Sequence, residues 1–107
     1  MEEVLIDFKN LEWKIVYPGQ RQQTFTRGNQ RLRLVELTDE YAEKELCEKE
    51  HIGYVVEGRI IIEFNGKSIL FKKGDGIFIT GGKENRHKGI MAKGEKVLLL
   101  FFEKVIL

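Results

Sequence analysis

Apolar and polar residues alternate with period two along most of this chain. Between residues 11 and 17, Leu11, Trp13, Ile15 and Tyr17 alternate with Glu12, Lys14 and Val16. Alternation of this kind predicts a strand with one wetter face, and Pro18-Gly19 ends it. Residues 22–26 and 31–37 read as two more strands about a turn at Arg27-Gly28-Asn29. In the second of these, Arg31 and Arg33 share one face while Leu32 and Leu34 share the other. The expected arrangement puts the arginines outside. Turned inward, they would instead bind a carboxylate or phosphate in bidentate fashion.

Residues 38–50, TDEYAEKELCEKE, read two ways. Asp39 can cap a short helix, and Ala42, Leu46 and Cys47 fall at helical spacing. From His51 onward the pattern is β again. Ile52, Tyr54 and Val56 alternate with His51, Gly53 and Val55, and Glu57-Gly58 marks a tight turn or bulge before the run 59–64. Asn65-Gly66 is a strong two-residue hairpin signal, since both residues tolerate positive φ. The chain returns over 67–71, turns at Lys73-Gly74-Asp75-Gly76, and continues as a short apolar strand over 77–80 and a loop over 81–85. Residues 97–102, VLLLFF, are apolar on both faces and need cover on both sides. About eight or nine short strands, with no helices between them, predict a sandwich or small barrel.

Composition narrows the classes. The chain has 107 residues, the size of one domain, and 42% of them are apolar. Lys and Arg number 18 against 17 Asp and Glu, and a net charge of +1 leaves no basic footprint for nucleic acid. No apolar run approaches the roughly 20 residues of a membrane helix. The stretch MEEVLIDFKN lacks a basic n-region, so no secretory signal is expected. With Cys47 as the single cysteine, no internal disulfide forms, and a reducing, cytoplasmic setting is expected. No Gly-rich phosphate loop, Ser-His-Asp signature or paired-cysteine zinc motif is present.

The text HIGYVVEGRIIIEFNGKSILFKKGDGIFITGG resembles the cupins, small jelly-roll (double-stranded β-helix) barrels with a site in the barrel mouth. The family's first motif runs from a glycine through two histidines and a glutamate to a closing glycine. Here it ends at Gly58, with His51 at the glutamate position, Glu45 and Cys47 at the histidine positions, and Asp39 at the opening glycine. The second motif starts at Gly74 and matches again at Gly82, with Thr80 at its proline, Asn85 at its histidine and Gly89 at its asparagine. Identity is confined to Gly58, Gly74 and Gly82. The resemblance therefore implies an all-β barrel spanning residues 1–107, and all four metal-ligand positions differ from the family pattern. It also implies that residues 45–47 are extended. Glu45 and Cys47 then point together into the barrel, whereas on a helix they would diverge by about 200°.

On that frame, Glu45, Cys47, His51 and His87 form the candidate metal set, with His87 taking the place of the missing histidine if its strand begins near Asn85. Which of Asn85 and His87 faces inward is open from sequence. The donors O, S, N and N suit tetrahedral Zn²⁺ best, while Fe, Mn and Ni stay compatible. His51 is also the candidate catalytic residue, as ligand or general base. Tyr54 and Trp13 are expected as core or interface aromatics. Three functional readings follow. One is a barrel of unassigned activity binding a small polar molecule, with or without a divalent metal. Another is a metal-dependent dioxygenase or isomerase acting on a small metabolite. The last is a degenerate, metal-free barrel serving association. VLLLFF and the tail Val105-Ile106-Leu107 favour a homodimer.

Overall fold

The computed structural model describes residues 4–42 and 46–105. Eight antiparallel strands follow in order: β1 (Lys14–Tyr17), β2 (Gln20–Arg27), β3 (Gln30–Thr38), β4 (His51–Phe64), β5 (Lys67–Lys72), β6 (Gly76–Ile79), β7 (His87–Ile90) and β8 (Lys96–Lys104). Two single 3-10 turns, Phe8–Asn10 and Lys83–Asn85, complete the described secondary structure. The two-residue hairpin at Asn65-Gly66 joins β4 to β5, with Phe64 paired to Lys67. The segment that could have capped a helix holds none among its described residues. Cys47 instead pairs with His87 as an isolated antiparallel bridge, as extended backbone requires. The first predicted strand is shorter than its alternation suggested, since Leu11, Glu12 and Trp13 precede β1.

Strand order is β1-β2-β3-β8-β4-β5, with β6 and β7 also pairing β4. The long β4 therefore serves two sheets. Its first half lies between β6 and β8, and its second half between β5 and β7. The change follows Gly58, and the register with β8 shifts by a bulge just before it, between Val55 and Glu57 rather than at Glu57-Gly58. Gly58 has φ of 78°, and a side chain there would overlap the carbonyl oxygen of Lys96, so only glycine fits. A bulge bends its strand and increases its twist. That bend lets one strand curl from one layer into the other.

The concave faces enclose Val35, Leu37, Val55, Ile60, Ile62, Ile77, Ile79, Val97, Leu99 and Phe101. Strand parity makes this core: Val97, Leu99 and Phe101 of β8 face in, while Leu98, Leu100 and Phe102 face out. In β3 the same parity reverses the sequence expectation. Val35 and Leu37 are buried, so Arg31 and Arg33 stand on the inner face and Leu32 and Leu34 on the outer one. The inward arginines are tolerated because β8 places Glu103 directly opposite Arg31. Arg33 donates from Nε and Nη2 to the two Glu103 oxygens at 2.9 and 2.8 Å, and Arg31 donates from Nε at 2.9 Å. Burial works to raise the Glu103 pKa, but the two guanidiniums win and hold it below the usual carboxylate range. A lowered carboxyl pKa means the unfolded chain binds the proton more readily, so this stability is present at neutral pH and is lost as pH falls below about 4.5. Acid unfolding of Glu103→Gln is accordingly expected to be less steep than that of the parent, as read by circular dichroism. Equal steepness would remove Glu103 from the account.

Trp13 lies beneath the Arg21 guanidinium, 4.2 Å from the ring centroid, and Tyr54 projects from the outer face of β4. Gln23, buried in β2, donates from Nε2 to the carbonyl oxygens of Phe8 and Leu11 and ties the N-terminal segment to the outside of the sheet.

A candidate metal and ligand site in the barrel mouth

Three of the four sequence-predicted donors converge at one end of the barrel. His51 opens β4 in one sheet, and His87 opens β7 in the other. The antiparallel bridge holds Cys47 beside His87, through Cys47 N–H to the His87 carbonyl at 2.6 Å and the reverse bond at 3.0 Å. The donor atoms of Cys47, His51 and His87 all lie within 4.8 Å of one another. The fourth, Glu45, lies outside the described residues. The question left by the sequence is answered in favour of His87, which is buried and faces the interior. Asn85 contributes its backbone instead: its carbonyl oxygen accepts from His87 Nδ1 at 2.9 Å. That bond puts the proton on Nδ1 and leaves the Nε2 lone pair free.

The donor set passes a simple chemical test for a metal. His87 Nε2 is buried without a hydrogen-bond partner among the described residues, as is His51 Nδ1. An unsatisfied buried polar atom costs about 1–3 kcal/mol, so a metal that takes the His87 Nε2 lone pair relieves a penalty already built into the fold. Cys47 Sγ and His51 Nε2 are 3.7 Å apart. Sulfur and nitrogen bound tetrahedrally to one zinc, at about 2.3 and 2.0 Å, stand roughly 3.5 Å apart. Three donors among the described residues are the number that catalytic zinc sites draw from the protein.

Electrostatics favour a neutral His51 imidazole, the form that ligates. Burial first, then the fields of His87, Arg33 and Lys49, push the His51 pKa down to about 4, against a smaller opposing effect of Glu103. His51 is thus neutral at pH 7, and its ring is held by packing. It meets His87 edge-on with centroids 5.0 Å apart and Phe101 at 5.1 Å. Phe64 backs His87 at 6.0 Å.

The cluster opens into a cavity of about 250 Å³. Its floor is the apolar core, including Ile60, Ile62 and Leu99, and its walls carry Gln20, Arg33 and Lys49 beside the three donors. Lys49 and Gln20 line the cavity without having been singled out in the sequence, while Arg33 was expected on the outer face. For Arg33 a signal existed, since it has the parity of Val35 and Leu37. For Lys49 and Gln20 none did.

No protein-family model and no curated protein matches the chain. Solved structures do. A polyketide cyclase from Streptomyces resistomycificus matches with a TM-score of 0.81 and 17% identity, over 98% of this chain and 81% of the other. A sugar phosphate isomerase from a cupin superfamily, from Silicibacter pomeroyi, matches at 0.78 and 17%, over 95% and 76%. An RmlC-like cupin from Shewanella frigidimarina matches at 0.75 and 15%, over 98% and 93%. At these identities the likeness concerns the fold, which is the cupin barrel.

Proposed function

We propose that this cupin-fold chain is a small-molecule-binding protein whose barrel mouth holds a divalent metal on Cys47, His51 and His87, with Zn²⁺ as the best fit. The observation that carries this reading is the His87 ring, whose Nδ1 is committed to the Asn85 carbonyl while Nε2 stands buried and unpartnered within reach of two further donors. A thiolate with two imidazoles suits zinc. When bound, such a metal supplies Lewis-acid polarisation of a ligand oxygen. The chain's own residues do the rest. Ile60, Ile62 and Leu99 exclude water from the floor, Phe101 fixes the His51 ring, and Asn85 fixes the His87 tautomer. If the site is catalytic, isomerisation or hydration of a small metabolite is the chemistry it supports. A metal-free reading, with His51 as general base, fares less well. An imidazole titrating near 4 is a weak base at neutral pH.

The test is elemental analysis of protein purified without an affinity tag or chelator, alongside His51→Ala and Cys47→Ala. Stoichiometric metal in the parent, lost in both variants, is the expected result. Only trace metal in a folded parent would leave the metal-free or association reading in its place.

The reading extends to a single domain over residues 1–107, a reducing cytoplasmic setting that keeps the Cys47 thiol available, and a homodimer. What supports the dimer is a row of apolar side chains in register across the outer sheet face: Phe25 of β2, Leu32 of β3, Phe102 of β8, Ile52 of β4 and Phe78 of β6. Phe78 is 75% and Phe102 54% exposed. A second copy presents the same row about a two-fold axis and can cover it. Sedimentation velocity is expected to return a dimer mass. A monomer mass at tens of micromolar protein would contradict it. The net charge of +1 gives no support to a nucleic-acid partner. No described helix is long and apolar enough to cross a membrane.

A further inference from the structure

The cavity that holds the donor cluster is also lined by two cations. Arg33 and Lys49 both line the cavity with Cys47, His51 and His87. The Arg33 guanidinium stands 5.3 Å from the Phe101 ring centroid, and the His51 ring stands 5.1 Å from that same ring. A molecule only a few bonds long therefore reaches both.

The charge count around Arg33 does not close. Glu103 is the carboxylate that Arg31 and Arg33 share, so two positive charges meet one negative charge. Lys49 adds another positive charge, and its ammonium pairs with no carboxylate among the described residues. Nor are the donors of Arg33 used up. Its Nε and Nη2 each give a hydrogen to Glu103, and Nη1 gives one to Gln22 Oε1 at 3.1 Å. A guanidinium has five N–H donors, so one remains on each terminal nitrogen. A pair of N–H groups on a planar fork is what a carboxylate takes in bidentate fashion. Glu103 also holds the fork in place before any ligand arrives, which lowers the entropic cost of binding.

We propose that Arg33 and Lys49 form a carboxylate-binding subsite, so that the ligand of this barrel is a small organic acid. Its carboxylate is held by these two cations, and its other polar end is directed at Cys47, His51 and His87. This deepens the reading of the barrel mouth as a ligand site, on which it rests, but it does not need the metal. The cavity, at about 250 Å³, is below the roughly 300–1,000 Å³ of pockets for drug-sized ligands. The acid is accordingly of metabolite size, and the apolar floor takes its hydrocarbon portion.

The test titrates chelator-treated protein with lactate and glutarate by calorimetry at low salt, with glutaramide and inorganic phosphate as comparators. At least one acid is expected to bind. Its affinity should fall at least tenfold in Arg33→Gln and in Lys49→Gln, and also with added salt. Glutaramide and phosphate should bind at least tenfold more weakly than that acid. Lys49 is exposed, so Lys49→Gln keeps the test sound if Arg33→Gln fails to fold. Three results would overturn the proposal: no binding of either acid, affinity unchanged in Lys49→Gln, or a comparator binding as tightly as the acid. Metal content measured on the untreated protein reads the other proposal separately. Acid binding in a protein that carries no metal sinks the metal alone, and metal without acid binding sinks the subsite alone.

Discussion

Zinc added to the metal-free protein is expected to raise its melting temperature steeply, and His87→Ala is expected to abolish most of that rise. A ligand that binds only the folded state stabilises it by about 2.7 kcal/mol at a hundred times its Kd. For a domain of this size each kcal/mol moves the midpoint by roughly 4–8 °C, so a shift on the order of 10–20 °C is predicted. The increment should grow with the logarithm of zinc concentration. His87 is the residue to remove because its free nitrogen is buried and its tautomer is fixed by Asn85. Its loss should weaken metal binding by more than the roughly 10–100-fold typical of losing an outer hydrogen-bond partner. Differential scanning calorimetry decides the matter. An equal zinc shift in parent and His87→Ala would place the metal elsewhere.

Phe101→Ala is expected to be the most destabilising of the substitutions considered. Phe101 is 7% exposed and belongs to the core. Truncating a buried phenylalanine costs about 3–5 kcal/mol, a large share of the roughly 5–15 kcal/mol that holds a small domain folded. The same ring also abuts His51 and carries the Arg33 guanidinium on its face. Its loss should therefore loosen both halves of the site, and metal and acid affinity should fall even where the variant is still folded. Phe101→Leu should recover most of the stability and less of the affinity. Urea denaturation reads the stability. A loss below about 1 kcal/mol in Phe101→Ala would show that the ring is not part of the core packing.

The fold was legible because its punctuation is local. Asn65-Gly66, the glycines at 58 and 74, and the two-residue period fix strand lengths and turns without reference to anything distant. Cys47 was legible for a different reason: the cupin resemblance implied an extended rather than helical backbone there, and Cys47 does bridge His87 as extended backbone requires. Arg33 was misjudged. An arginine is costly to bury alone, which argued for an outward face, but its burial is made tolerable by Glu103, seventy positions along the chain. Val35 and Leu37 carried the parity that would have corrected this. Cross-strand pairing also decides between Asn85 and His87, because His87 takes its place by bonding to Cys47. Lys49 and Gln20 reach the cavity through loop and strand-end positions, where periodicity gives no direction.

X-ray absorption at the zinc edge of the loaded protein reads directly whether one sulfur and two nitrogens meet at a single ion. The predicted result is one sulfur at about 2.3 Å and nitrogens at about 2.0–2.1 Å, with the sulfur contribution gone in Cys47→Ala. A shell of nitrogen and oxygen alone in the parent protein would contradict it.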